Sequence, residues 1–161
     1  MLKTILVALL FIAAQTEQSP WVTLAPEGAG FSISLPGQAV EKIDEKPSYT
    51  MHAFTVTVGR ATYVASYSDY KPGKLDPTTA LTANRDKFNK NFQATLISSR
   101  EIMIEGHTGL EFTSETPAAN LKSQIFLIGN RMFQTATLVF KDVDEKKNVN
   151  RFFESFKFNA K

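Results

Sequence analysis

Between Leu121 and Phe140 the chain reads LKSQIFLIGNRMFQTATLVF, two apolar runs separated by Gly129-Asn130. A two-residue loop with Gly first suits a type I′ or II′ turn, whose twist matches that of paired strands. Counting outward from that turn sets Ile128 opposite Arg131, Leu127 opposite Met132, Phe126 opposite Phe133, Ile125 opposite Gln134 and Leu121 opposite Leu138. Leu121, Ile125, Leu127, Met132, Ala136, Leu138 and Phe140 then share one face, and Phe126, Ile128 and Phe133 the other. A hairpin that is apolar on both sides belongs in the middle of a covered sheet, not at its edge.

The same reading extends along the chain. Trp21-Val22-Thr23-Leu24 and the strictly alternating Phe31-Ser32-Ile33-Ser34-Leu35 predict two short strands, separated by Pro26 to Gly30 and stopped at Pro36-Gly37. Gln38 to Ser48 is polar and charged, a loop or a poorly specified edge strand. Thr50–Val58 and Ala61–Tyr70 form a hairpin about Gly59-Arg60, with His52 opposite Tyr67, Phe54 opposite Ala65 and Val56 opposite Tyr63 on a dry face. The reverse face carries Thr55, Thr57, Thr62, Ser66 and Ser68 and reads as solvated, except at Met51 and Val64. Past Lys71-Pro72-Gly73 the period lengthens. Asp76 as N-cap, Pro77 at the first helical position, and Leu81, Arg85, Phe88 and Phe92 on one stripe predict a helix from Pro77 to Phe92, with Arg85 snorkelling at its margin.

Strands resume over Thr95–Glu105 and Gly109–Glu115. A Gly106-His107 turn would place Ile102 against Glu111, whereas a three-residue loop Gly106-His107-Thr108 pairs Ile104 with Leu110 and Ile102 with Phe112, so the apolar register favours the longer loop. Between Asp142 and Lys157, Asp144 is placed to cap a helix carrying Val149, Phe152, Phe153 and Phe156 at i, i+3, i+4 and i+7. Hairpins joined by tight turns and two amphipathic helices imply an α+β domain, a meandering antiparallel sheet covered by the helices as an α/β/α sandwich.

Composition narrows the chemistry. The 161 residues suffice for one core, and the absence of cysteine excludes disulfides, thiolate metal sites and a cysteine nucleophile. The formal charge of +2, one unit of it from Lys3, offers no pull toward a polyanion. Lys3, the apolar run from Ile5 to Ala14 and the polar Gln15-Thr16-Glu17-Gln18 have the layout of a secretory signal, with cleavage expected after Ala14. A retained anchor or a buried first helix is the alternative. The run is short for a bilayer span, and no second apolar stretch is long enough for one. The organisation expected is a signal peptide over 1–14, a polar leader over 15–20 and one domain over 21–161, outside the cytoplasmic membrane and secreted or periplasmic.

One constellation has the makings of a site. His52 beside Tyr67, with Tyr63 and Tyr70 along the same strand, joins apolar bodies to polar tips that can line a ligand or partner surface. Ordinary cross-strand packing with hydrogen-bonded tips explains the same residues. His107 falls at a loop tip, and two histidines without cysteine would need carboxylates gathered from afar to hold zinc. Asp142, Asp144 and Glu145 open like a calcium loop, but Lys147 and Phe153 stand where that loop needs Gly and Glu. Gly28-Ala29-Gly30 lacks the third glycine and the following helix of a dinucleotide site, and no nucleophile elbow or phosphate loop occurs. Arg85, Lys87 and Lys90, and likewise Lys141, Lys146, Lys147 and Arg151, are interleaved with acids, unlike a nucleic-acid footprint. No catalytic residue, cofactor or metal ligand is assigned.

Gly106 with Gly109-Leu110-Glu111-Phe112, then Phe126 through Gln134 (FLIGNRMFQ), then Phe152 with Glu154-Ser155-Phe156, following Phe31-Ser32-Ile33-Ser34-Leu35-Pro36, give the sequence its resemblance to the PsbP-like family. That family includes extrinsic photosystem subunits, secreted bacterial relatives and, by fold, Ran-binding Mog-type proteins. The likeness spans roughly residues 21–158. It implies an antiparallel sheet between helices and a non-catalytic docking role, and it supplies no catalytic motif to transfer. The N-terminal extension of the plant members has no counterpart here, so no photosystem partner is implied. The expectation is an extracytoplasmic, non-enzymatic binding or assembly module whose partner is another envelope or secreted protein. A small-ligand carrier using His52, Tyr63 and Tyr67, and a hydrolase with a non-contiguous site, are the alternatives.

Overall fold

The computed structural model describes residues 20–73 and 75–159. The signal-like segment 1–14 and all but the last residue of the polar leader lie outside that range. Twelve elements follow in order: β1 (Val22–Leu24), β2 (Phe31–Leu35), β3 (Val40–Glu45), β4 (Tyr49–Val58), β5 (Ala61–Tyr70), α1 (Pro77–Phe92), β6 (Thr95–Ile104), β7 (His107–Glu115), β8 (Ala119–Ile128), β9 (Arg131–Phe140), α2 (Lys146–Glu154) and β10 (Lys157–Phe158). Seven strands make one antiparallel sheet in the order β3-β4-β5-β9-β8-β7-β6, and β1-β2-β10 make a small second sheet.

The β8–β9 hairpin lies inside the large sheet in the register its turn dictates, with Phe126 opposite Phe133 and Ile128 opposite Arg131. Gly129 takes φ 60° at the turn, where a β-carbon would be strained. Because neighbouring residues point to opposite sides, the hairpin feeds two cores. Phe126 and Phe133 join Phe31, Ile33, Leu35, Phe54, Val56, Tyr63 and the α2 residues Phe152 and Phe153 on one side. Ile125 and Met132 meet Leu81 and Phe112 on the other, with Phe88 packed against them. One layer is therefore α2 with the small sheet, and the opposite layer is α1.

Local signals account for α1. The Asp76 carboxylate accepts a hydrogen bond from the Thr79 amide at 2.8 Å, and the Thr79 hydroxyl first, with that amide second, holds its pKa below the ordinary carboxylate value. Pro77 opens the helix and Gln93 closes it in the left-handed region. Arg85 leaves the apolar stripe for Asp86 and Ser99, at 2.9 and 3.1 Å. Gln38 to Ser48 contains a true edge strand, β3, with Val40 and Ile43 more than half exposed.

Three expectations need correction. The β6–β7 turn is Glu105-Gly106, both at positive φ (48° and 81°), so Ile104 pairs with His107 and Ile102 with Gly109, not with Leu110 and Phe112. Charge on the core face does not forbid this register, because Glu111 falls opposite Arg100 and is neutralised there. Its carboxylate accepts from Arg100 at 2.6 and 2.9 Å and from Gln124 at 2.8 Å, and Lys122 lies 3.3 Å away. Second, Asp144 does not cap α2. It accepts from the Lys146 amide at 3.1 Å, while Glu145 occupies the cap position without a side-chain bond to the backbone. Third, α2 stops at Glu154, and Phe156 reaches the core from the turn into β10, where Phe158 pairs with Phe31. The Ser155 hydroxyl bonds the Phe152 carbonyl and the Ser34 amide at 2.8 and 2.9 Å, so the helix end is spent on joining β2.

One cross-strand row runs through all seven strands: Ile43, His52, Tyr67, Phe133, Phe126, Gly109 and Ile102. Gly109 is buried, and a β-carbon there would collide with the Phe126 ring and lie 2.5 Å from the Ile125 carbonyl oxygen. The ring lies over the glycine backbone, a close approach that explains an isolated Gly inside a strand. Gly109→Ala is expected to destabilise the domain by about 1–3 kcal/mol through overpacking, read as a lower denaturant midpoint at unchanged m-value.

Glu111 gives a second prediction. Burial, the largest single influence, pushes its carboxyl pKa up, but the bonds from Gln124 and Arg100 and the charge of Lys122 together outweigh it and leave the pKa below the ordinary Glu value. A folded-state pKa below the unfolded one stabilises fully above the unfolded value, about 4.3, and that contribution is lost as pH falls through the folded value. Glu111→Gln is expected to melt well below the wild type at pH 7, with the gap narrowing as pH drops below about 4. A gap that stays constant down to acid pH would remove the charge-paired role.

Candidate functional site

The dry face of β4 and β5 brings His52, Tyr63 and Tyr67 to the same side of the sheet, and Tyr70, three residues beyond Tyr67, points to the other. His52 stacks flat on Tyr67, with ring centroids 4.6 Å apart and planes 5° from parallel, and its Nδ1 lies 2.8 Å from Glu41. Tyr63 is core. It packs edge-on to Trp21 and Phe152, and its hydroxyl donates to Glu145 across 3.0 Å. Burial first, and the adjacent Glu145 carboxylate second, push its pKa well above that of a free phenol. Tyr70 pairs with Tyr49 at 5.2 Å beneath α1. The four residues therefore do not line one pocket. Only His52 and Tyr67 share a surface, and Tyr67 is itself nearly buried.

What the stack leads to is Arg131. Its guanidinium lies 4.7 Å from the centre of the Tyr67 ring. Nε and Nη2 donate to the two Asp69 oxygens at 2.6 and 2.7 Å, and Nη1 donates to the carbonyls of Gly28 and Ala29. Asp69 stands opposite Arg131 in the β5–β9 register, so the pair is a consequence of strand alignment. The Asp69 bonds raise the Arg131 pKa further, against a smaller opposing effect of burial. Tyr67 is pushed up by burial first, an effect that Arg131 partly offsets. A planar fork with its donors spent on four oxygens is held rigid, and it ties the 26–30 loop to the tip of the central hairpin.

Arg131 forms part of the wall of a cleft of about 990 Å³ at this end of the sheet. Three regions enclose it: the loop at Gly28 and Gly30, the tips of the β6–β7 and β8–β9 hairpins, and the β10 end at Phe158 and Asn159. Ile128, Phe133 and Phe158 supply apolar surface, and Asp69, Glu105, His107 and Asn130 supply polar groups. His107 lies edge-on to Phe158 at 4.8 Å, and the Glu105 carboxylate accepts the Phe158 amide at 2.8 Å, which fixes the β10 wall to the β6–β7 turn. Concave, mostly apolar surface with a few placed polar groups is the usual form of a binding site. Sequence reasoning explained Gly129-Asn130-Arg131 by turn geometry alone and so missed Arg131. The available signal was the single charge of β9, at its turn end and aligned with Asp69 on β5.

No model of a known protein family matches the chain, and no curated protein sequence is similar to it. Similarity appears among solved structures. The solution structure of cyanobacterial PsbP (CyanoP) from Synechocystis sp. PCC 6803 superposes with a TM-score of 0.64, covering 87% of this chain and 93% of that one at 11% identity. A crystal structure from Bacteroides thetaiotaomicron VPI-5482 matches with a TM-score of 0.42 and 17% identity, over 86% of this chain and 48% of that one. With its antiparallel strand order and a helix on each side of the large sheet, the chain has a PsbP-like α+β fold.

Proposed function

We propose that the domain is an exported, non-catalytic binding or assembly module that docks a segment of another envelope or secreted protein in the cleft beside Arg131. The observation that carries this reading is the construction of the cleft: loop, hairpin tips and β10 are locked together by Arg131, Asp69 and Glu105 before any partner arrives. A preformed surface avoids the ordering cost that weakens association, and it mixes apolar anchors with a polar rim as protein interfaces do. The titratable groups of the interior support a structural use. Tyr63, Glu111 and Arg131 are each engaged by an internal partner. Export rests on the signal-type layout of Lys3 and Ile5 to Ala14. Among the described residues no helix is long and apolar enough to cross a membrane.

A photo-crosslinking residue placed at Asn130, on the cleft rim, is expected to yield one discrete adduct with an exported protein in the native envelope. The same probe at Lys42, on the far edge strand, is expected to yield none, and Ile128→Glu is expected to abolish the Asn130 adduct while the protein stays folded. Equal labelling from both positions, or no adduct from either, would overturn the reading.

A further inference from the structure

Helix α1 packs across β7 and β8 and stands off β4 and β5, which leaves a groove of about 580 Å³ on the face of the sheet opposite the Arg131 cleft. Its walls are largely apolar. Met51 and Met132 line it from the sheet, Leu75 from the approach to the helix, and Ala80, Ala83 and Phe88 from the helix itself. Ser66, Ser68 and Gln134 add polar groups without charge. Met132 is buried, but Met51, Leu75 and Phe88 are only half-buried although each carries a large side chain. Apolar surface left facing water inside a groove is a standing cost that an apolar ligand relieves.

The charges around the groove do not balance. Asp44 pairs with Lys46 at 3.1 Å, and Asp86, next to Lys87 in the chain, is held by Arg85 at 2.9 Å. Lys87, exposed at the mouth, is left with no carboxylate in ion-pair reach among the described residues, and its ammonium lies 5.7 Å from the centre of the Tyr49 ring. Tyr49 and Tyr70 face each other at the end of the β4–β5 pair, with ring centroids 5.2 Å apart. Burial first, and the neighbouring Tyr49 second, push the Tyr70 pKa up, so its hydroxyl keeps its proton and remains a donor. One ammonium and two phenol hydroxyls thus stand at one end of an apolar trough, with one positive charge unmatched.

We infer that this groove binds a small amphipathic anion, a single negative head on an apolar body, of the fatty-acid class. The head takes the Lys87 ammonium and the tyrosine hydroxyls, and the tail lies along Met51, Phe88 and Met132. A cationic amphiphile meets like charge at the same place, and a neutral one gains burial but leaves Lys87 unpaired. The volume falls within the ordinary range for small-molecule sites. None of this rests on the docking role of the Arg131 cleft, which lies on the other face.

The test is an NMR titration of the protein with millimolar octanoate, octylammonium and 1-octanol, using the Met51 and Met132 methyl resonances as reporters. Octanoate is expected to shift both methyls saturably, and the other two to bind at least about tenfold more weakly. Lys87→Glu is expected to weaken octanoate by about tenfold or more, the loss of one charge-assisted hydrogen bond. Lys147→Glu on α2, the same change of net charge on the opposite layer, is expected to leave it unchanged. No saturable shift with octanoate, equal affinity for octylammonium or 1-octanol, or an equal loss in the two variants would overturn the assignment.

Discussion

Everything in this domain is arranged around a hairpin that cannot face water on either side. Phe126 and Phe133 are buried on one face of β8–β9, and Ile125 and Met132 on the other, all below 5% exposed. Removing four large apolar side chains from water on opposite faces contributes on the order of several kcal/mol, but only if both faces are roofed. The cover on one side is α1. On the other it is composite, since α2 alone is nine residues long and the rest comes from Phe31, Ile33 and Leu35 of β2. The outer strands extend this plan. Charges that fall on the inner face beyond the roof are paired in place, as Glu111 is with Arg100 and Asp69 with Arg131.

Gly109 shows how closely that plan is held. The row from Ile43 to Ile102 puts aromatic rings at four successive strands, and the position after them is a glycine because the Phe126 ring fills the space where a side chain would stand. The β6–β7 hairpin can only be laid against the centre in this register. The tight turn at Glu105-Gly106 and the Glu111 cluster then follow from the same alignment.

Much of the fold was legible in the chain. The Gly129-Asn130 and Gly59-Arg60 turns fix their registers by backbone conformation, and the alternation in FSISL and the Asp76-Pro77 cap are purely local. The failures share a cause. The rule that charge avoids a core face favoured a three-residue loop at Gly106, yet Glu111 is accommodated by Arg100 from β6 and by Gln124 and Lys122 from β8, partners that only the assembled sheet supplies. Helical spacing carried Phe156 into α2 because burial, not helicity, is what the spacing records. For the site, His52 and Tyr67 were recognisable as a cross-strand pair. Arg131 was not, since its meaning depends on the 26–30 loop folding back more than a hundred residues away in sequence.

The pairing of β10 with β2 has a consequence for how the protein reaches its finished state. Phe31 sits at the heart of the larger core, and while β1 holds the far end of its strand, Phe31 itself is paired by Phe158, among the final residues described. A chain that leaves the ribosome amino end first must hold β2 without its β10 partner until Phe158 has emerged. Closure of a contact between such distant positions is slow. That delay makes completion of the aromatic interior the closing act of folding.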